Sequence, residues 1–452
     1  MRRFILSIFA ITAFVGAAPA FGLLREAAGA TSQTICSKAF VSGLDPDDVF
    51  RDHLRPEPGM NAIAWAVRTD VDRTARTVRT RIFGVERISA FASGRGCSLQ
   101  TRGRPRPVNL PARAHAPALA PDIAGAAIVA PTSPQLATAL DAAFAEPPTG
   151  APRHTQAIVV VRHGHIIAER YAPGLNPNTP LLSHSLAKSV TSALVGVLAR
   201  DGAMRLDAPI DLPGWSDAAH RAITLENLLR MNAGFGFDEG AGASIATHIW
   251  YVEADGAAAS AKAKLKSPPS AAWGYCSRCY MIAAKLLADR VGGSPLAFRD
   301  FAQRELFDPL GMTSALFEFD AAGSPMGANA MFATPRDFAK FGLLYLNDGV
   351  VGGKRILPEG WVRRSTTPTV SSGYGMGFWL NTTDARIAEW GMQWGLPGAP
   401  KDAYFARGYL GQYIVVVPSA DLVVVRFGQS HARAGDVASV GELVRAVIAA
   451  GE

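Results

Sequence analysis

Two β-hairpin signatures stand at opposite ends of a long, mostly helical stretch, and this pairing restricts the possible folds more than any other feature of the chain. Residues 157–161 and 166–170 flank Arg162-His163-Gly164-His165, with glycine at the turn. Residues 413–417 run through Pro418-Ser419-Ala420-Asp421 into residues 422–427. The β-branched runs suit pleated strands, and glycine supplies the backbone freedom that a tight turn needs. Hairpins at both ends with helical sequence between them imply an antiparallel sheet built from the chain termini and flanked by helices, together with a helical region, an α/β fold of the α+β type. Pro134–Phe144 suits a short helix opening this domain, and a last helix runs from Gly435 towards Ala450. There is no internal repeat.

The chain has 452 residues, 48% hydrophobic and 18% charged, enough to build one large domain or two unequal ones. Met1-Arg2-Arg3 precedes an uncharged run over 4–24, with Ala18-Pro19-Ala20 placed like a small-residue cleavage site. Residues 1–20 therefore read as a signal peptide cleaved after Ala20, and the protein as exported, periplasmic or secreted. Anchoring by an uncleaved N-terminal segment is the alternative; cleavage would leave no stable membrane insertion.

Export makes cysteine pairing relevant. Cys36 and Cys97 bracket a segment with strand-like alternation at Thr77–Ile82 and 87–91, and are candidates for a disulfide closing a small, partly β module over 21–113. Cys276 and Cys279 fit a local disulfide, a redox pair or buried thiols. No second Cys/His pair stands at metal spacing, so no metal site is expected. Residues 114–133 are rich in Ala and Pro and read as a linker, leaving 134–452 as the main domain. The net charge of +7 owes much to arginines scattered between 68 and 113. Without a recognition motif they read as a solvated face, and no nucleic-acid partner is expected.

The chemistry centres on the chain's one Ser-x-x-Lys, Ser185-Leu186-Ala187-Lys188. Apolar residues at 186, 190, 193, 194, 197 and 198 predict a helix buried on most sides, stopped at Gly202. Ser185 then falls in the first turn, where unpaired N–H groups favour negative charge, and Lys188 lies one turn on along the same face. Desolvation lowers a lysine's pKa, so its amine becomes able to take the serine proton. The alternative is an N-cap serine followed by a lysine that snorkels to water. No Gly-x-Ser-x-Gly is present, which leaves a nucleophile-elbow hydrolase without support.

Several blocks, in order, resemble the serine hydrolases of the class C β-lactamase and penicillin-binding-protein family, above all the branch of 6-aminohexanoate-dimer hydrolase and related esterases. After Ser185-Leu186-Ala187-Lys188 come Thr224-Leu225-Glu226-Asn227-Leu228-Leu229-Arg230-Met231-Asn232-Ala233-Gly234, Pro309-Leu310-Gly311-Met312, Ala333-Thr334-Pro335-Arg336-Asp337-Phe338 and Pro358-Glu359-Gly360-Trp361. The resemblance implies a β-lactamase/transpeptidase-like fold, Ser185 as nucleophile and Lys188 as its base. The family's Tyr-x-Asn motif resembles Tyr275-Cys276-Ser277, which implies Tyr275 as proton relay, a phenol eased by a nearby ammonium, and Ser277 as a substrate-binding candidate where β-lactamases carry asparagine; the alternative for Tyr275 is a core aromatic whose hydroxyl caps a helix running from about Arg278 to Arg290. Its Lys/His-Thr-Gly motif resembles Ala406-Arg407-Gly408, with the lysine or histidine missing. Gly408 would leave room for a substrate carbonyl, the N–H groups of Ser185 and Tyr409 would form an oxyanion hole, and Arg407 would meet a substrate carboxylate or else point outward.

Trp379, Trp390 and Trp394 are candidate cleft aromatics, and Asp238 and Glu239 read as solvated loop carboxylates, with contact to an amine-bearing substrate as the alternative. The function expected is an exported serine hydrolase acting on a small ester or amide, without cofactor. The alternatives are a non-catalytic relative that binds envelope ligands, or a true β-lactamase or D,D-peptidase.

Overall fold

The computed structural model describes residues 2–239, 243–370, 372–381, 386–387, 392–393, 395–431 and 435–451. The chain opens with one long helix, α1 (Arg2–Phe40), which passes through Ala20 without a break. Its second half packs against an antiparallel sheet of β1 (Arg68–Asp72), β2 (Thr77–Ile82), β3 (Val85–Ala92) and β4 (Gly96–Leu99). A Cys36–Cys97 disulfide ties α1 to β4, and Ile35, Val49, Leu54 and Val78 are buried around it. Polar residues of α1 are buried too: Ser32 bonds Ser89 at 2.7 Å and Gln33 donates to the Cys97 carbonyl at 2.7 Å. Among the described residues no helix is long and apolar enough to cross a membrane.

The segment expected as a linker forms no regular element, yet it is pinned along the edge of the main sheet. The N–H groups of Ile166 and Glu169 donate to the carbonyls of Ile123 and Val129 at 2.9 and 3.0 Å, and Arg336 donates to the Gly125 and Ala127 carbonyls.

Next come α2 (Pro134–Phe144), capped by the Ser133 hydroxyl, and the first hairpin, β5 (Thr155–Arg162) and β6 (His165–Tyr171). Then come α3 (Leu186–Arg200), α4 (Ser277–Arg290) and α5 (Pro335–Leu346). The chain returns to the sheet as β7 (Trp379–Leu380), β8 (Tyr404–Gly408), β9 (Gln412–Val417) and β10 (Leu422–Gly428), and ends in α6 (Gly435–Ala449). The six strands run in the order β7, β8, β9, β10, β5, β6, antiparallel throughout. The terminal hairpins meet where Val423, Val424 and Val425 face Val161, Val160 and Val159.

Every residue of β9 and β10 is buried, so helices cover both faces, which is why these strands read as continuous apolar runs instead of alternating ones. Helix α5 lies on β9, β10 and β5, while α2 packs on β5 and on α6. Both hairpins and the helices α2, α3, α4 and α6 stand where the sequence pattern puts them. A small sheet of Leu181–Leu182, Met331–Ala333 and Leu316–Phe317 has strands too short to leave a periodic signal.

The N-terminal region is locked to the main domain at close quarters. A Cβ on Gly29 of α1 would overlap the Tyr251 carbonyl, and the carboxylate of Glu318 accepts from the Cys97 N–H at 2.7 Å and the Ser37 hydroxyl at 2.9 Å. Gly29→Leu is therefore expected to cost about 1–3 kcal/mol through overpacking, read as a lower Tm. An unchanged Tm would mean that α1 does not rest on helix Ile245–Tyr251.

Candidate active site

Helix α3 is buried along 13 consecutive residues, Leu186 through Leu198, as its apolar pattern requires. Its entry is set by Ser183, whose N–H donates to the Met331 carbonyl at 2.8 Å, and by His184, which takes a left-handed φ of 47°. Ser185 occupies the N-cap position but its hydroxyl caps nothing. Instead Ser185 Oγ accepts from Lys188 Nζ at 2.9 Å. Lys188 is 1% exposed, so the snorkelling geometry is ruled out.

The Lys188 amine also donates to the Ala328 carbonyl at 2.8 Å and sits 5.0 Å from the centre of the Tyr275 ring. Burial brings its pKa down to about 8, opposed by the carboxylates of Glu239 and Asp238. An amine so placed gives up its proton more readily than a free lysine while touching a serine hydroxyl.

Tyr275 closes the other side of Ser185, to which its hydroxyl is hydrogen-bonded. Its ring stacks on Trp379 at 5.5 Å and meets Tyr374 edge-on at 6.1 Å. The surroundings do not ease the phenol's proton. Burial, the neighbouring Tyr374 and Glu239 push its pKa well up, outweighing the Ser185 hydrogen bond and the Arg407 charge. Tyr275 is therefore a neutral phenol at rest, and Lys188 is the group poised near neutrality.

Two carboxylates expected in a solvated loop turn inward. Asp238 is 3% exposed and accepts from the N–H groups of Ser277 and Arg278 at 2.9 and 3.0 Å, so it holds the start of α4. Glu239 accepts the Ser277 hydroxyl, and burial raises its pKa to about 7 against the pull of Lys188. The signal for both was the polar pair directly after Phe237; what sequence could not supply was the fold-back that brings them to α4. Ser277 itself is fully buried and engaged with Glu239, so it positions that carboxylate and does not face an open cleft. Cys276 and Cys279 form a disulfide in the first turn of the same helix, immediately after Tyr275.

The end of β8 comes against the start of α3. A Cβ on Gly408 would overlap the Ser183 carbonyl, so only glycine permits this approach. Beyond it, the Tyr409 ring meets His184 edge-on at 5.8 Å, and its hydroxyl donates to Glu57 at 2.8 Å. Among the described residues neither the Ser185 N–H nor the Tyr409 N–H has an acceptor. Arg407 is half-buried, with Nε donating to the Tyr413 hydroxyl at 2.7 Å. Trp379 is 3% exposed with one face taken by Tyr275, so it supports that ring. Trp390 and Trp394 lie outside the described residues.

A β-lactamase family model matches residues 140–448. The 6-aminohexanoate-dimer hydrolase of Paenarthrobacter ureafaciens is 24% identical over 291 residues, covering 60% of this chain and 72% of its own. Among solved structures, a Bacillus anthracis protein provisionally assigned as a 6-aminohexanoate-dimer hydrolase superposes with a TM-score of 0.56 at 22% identity, covering 72% of this chain and 88% of its own. A class C β-lactamase from Rhodobacter sphaeroides gives 0.52 at 17% identity, covering 70% and 100%. With the matched span exceeding half of the sequence, and with the same fold, this chain belongs to the β-lactamase family of serine hydrolases.

Proposed function

We propose that the protein is an exported serine hydrolase that cleaves ester or amide bonds through an acyl-enzyme on Ser185. The observation that carries this reading is the 2.9 Å contact between a buried lysine amine and the serine hydroxyl at a helix start. Lys188 in its neutral form takes the Ser185 proton as Oγ attacks the carbonyl carbon. The N–H groups of Ser185 and Tyr409 donate to the resulting oxyanion, a type of interaction typically worth ~3–4 kcal/mol per donor. The proton then passes from Lys188 to the leaving group by way of the Tyr275 hydroxyl, which gives one proton and receives another, so its high pKa is no obstacle. Water attacks the acyl carbonyl by the reverse route and restores Ser185. Export is supported by the uncharged N-terminal run and by two disulfides, which persist in oxidising compartments.

A fluorophosphonate probe is expected to label the wild-type protein and not Ser185→Ala; equal labelling of both would place the nucleophile elsewhere. Lys188→Ala is expected to lower kcat for p-nitrophenyl acetate by roughly 100-fold or more, and near-normal turnover would remove Lys188 as the base. Because the free amine is the active form, kcat/KM is expected to rise with pH through a midpoint near 8. Glu239 holds the ammonium form, so Glu239→Gln is expected to move that midpoint to lower pH. A midpoint that stays in place would separate the titrating base from Glu239.

A further inference from the structure

Ser185 lies on the wall of a cavity of about 540 Å³ whose remaining lining comes largely from the N-terminal region. Leu24 and Ala27 of α1 contribute to it, as do Leu54, Met60, Ile63 and Phe83. All six precede residue 140, where the segment shared with the family begins. Leu24, Ala27 and Ile63 pack around a single apolar cluster with Ala28, Ile82 and Val85, so the surface they present is continuous. The wall is also fixed in place. Glu26 accepts from the Thr247 hydroxyl, Glu57 from the Tyr409 hydroxyl, and α1 rests on helix Ile245–Tyr251 through Gly29.

We propose that this cavity is an acyl-chain subsite, and that the preferred substrates are esters or amides of medium-chain aliphatic acids, with the N-terminal region setting the selectivity. The inference rests on the hydrolase reading above. Beside Ser185 the lining includes His184, Glu239, Asn329 and Tyr409, while Glu26 and Glu57, which also border the space, are engaged by the Thr247 and Tyr409 hydroxyls. His184 is held neutral, its pKa taken down to about 3 by burial and by nearby lysines. Among the described residues that line the cavity there is no lysine or arginine to receive an acyl chain ending in a carboxylate. A volume of this size falls in the ordinary range for a small-molecule site, and its lining suits a neutral hydrocarbon tail whose carbonyl carbon stops at Ser185 Oγ. Each methylene transferred from water to such a wall is worth up to roughly fourfold in kcat/KM.

The test compares p-nitrophenyl acetate with p-nitrophenyl octanoate on the full chain. Wild type is expected to favour octanoate by at least about tenfold in kcat/KM. Ala27→Trp and Ile63→Trp, which fill the cavity from two separate segments, are each expected to lower octanoate turnover by about tenfold while acetate stays within about twofold. Retained acetate hydrolysis shows that a variant has folded, and the wild-type ratio decides even if neither variant folds. A wild-type preference for acetate, or parallel loss of both esters in folded variants, overturns the subsite. In that case fluorophosphonate labelling of Ser185 and acetate turnover would persist, leaving the hydrolase reading intact. Failure of Ser185 to label in wild type would overturn both.

Discussion

A lysine amine kept out of water is the constraint on which the site depends. Removing an ammonium from water costs several kcal/mol even after a protein relaxes around it, and α3 buries Lys188 almost completely. The fold answers with the Ala328 carbonyl, the Ser185 hydroxyl, the face of Tyr275 and the charges of Glu239 and Asp238. These partners offset part of the cost and leave the rest as a lowered pKa. The same imbalance that makes Lys188 expensive to bury lets its amine give up a proton more readily than a free lysine, so the energetic weakness and the lowered pKa have one origin.

That arrangement requires three distant parts of the chain to converge on one helix start. The C-terminal hairpin reaches α3 because β10 pairs with β5, which places β8 beside Ser183 and allows the close approach at Gly408. Helix α4 carries Tyr275 to its N-terminal end, where the Cys276–Cys279 disulfide and the Asp238 carboxylate hold the first turn. Trp379 stacks behind the Tyr275 ring from the sheet side. Together these supports keep Ser185, Lys188 and Tyr275 in contact.

The N-terminal region is joined to this machinery and is not a loose appendage. Buried polar links through Glu318, and the packing of Gly29 on Tyr251, hold α1 against the main domain. The Tyr409–Glu57 bond connects residues 352 apart in the sequence. Residues 114–133, compositionally a linker, lie along β6 with their carbonyls bonded, so they carry the chain from one region to the other without freeing either.

Much of the fold was legible because it is written in short-range terms. The turn glycine at 164, the valine runs, the helical spacing from Leu186 to Leu198 and the proline at the start of α2 are each decided by neighbours within a few residues. Ser185 and Lys188 share a turn, so spacing put them on one face, while the burial that turns Lys188 onto the serine instead of out to water came with the fold. Contacts set by chain closure had no such signature: Glu239 meets Ser277 across 38 positions, and Lys188 meets the Ala328 carbonyl across 140. Hence Glu239 looked like a solvated carboxylate, Trp379 like a cleft residue, and the Tyr275 phenol like one eased by its cationic neighbour. The sequence by itself determined the elements and placed Ser185 and Lys188 on one face at the head of α3, because local backbone geometry settles both. Only the tertiary structure decided which carboxylates face the lysine, how high the tyrosine's pKa is pushed, and that the N-terminal region walls the cavity at Ser185, because burial and long-range charge exist only once the chain has closed on itself.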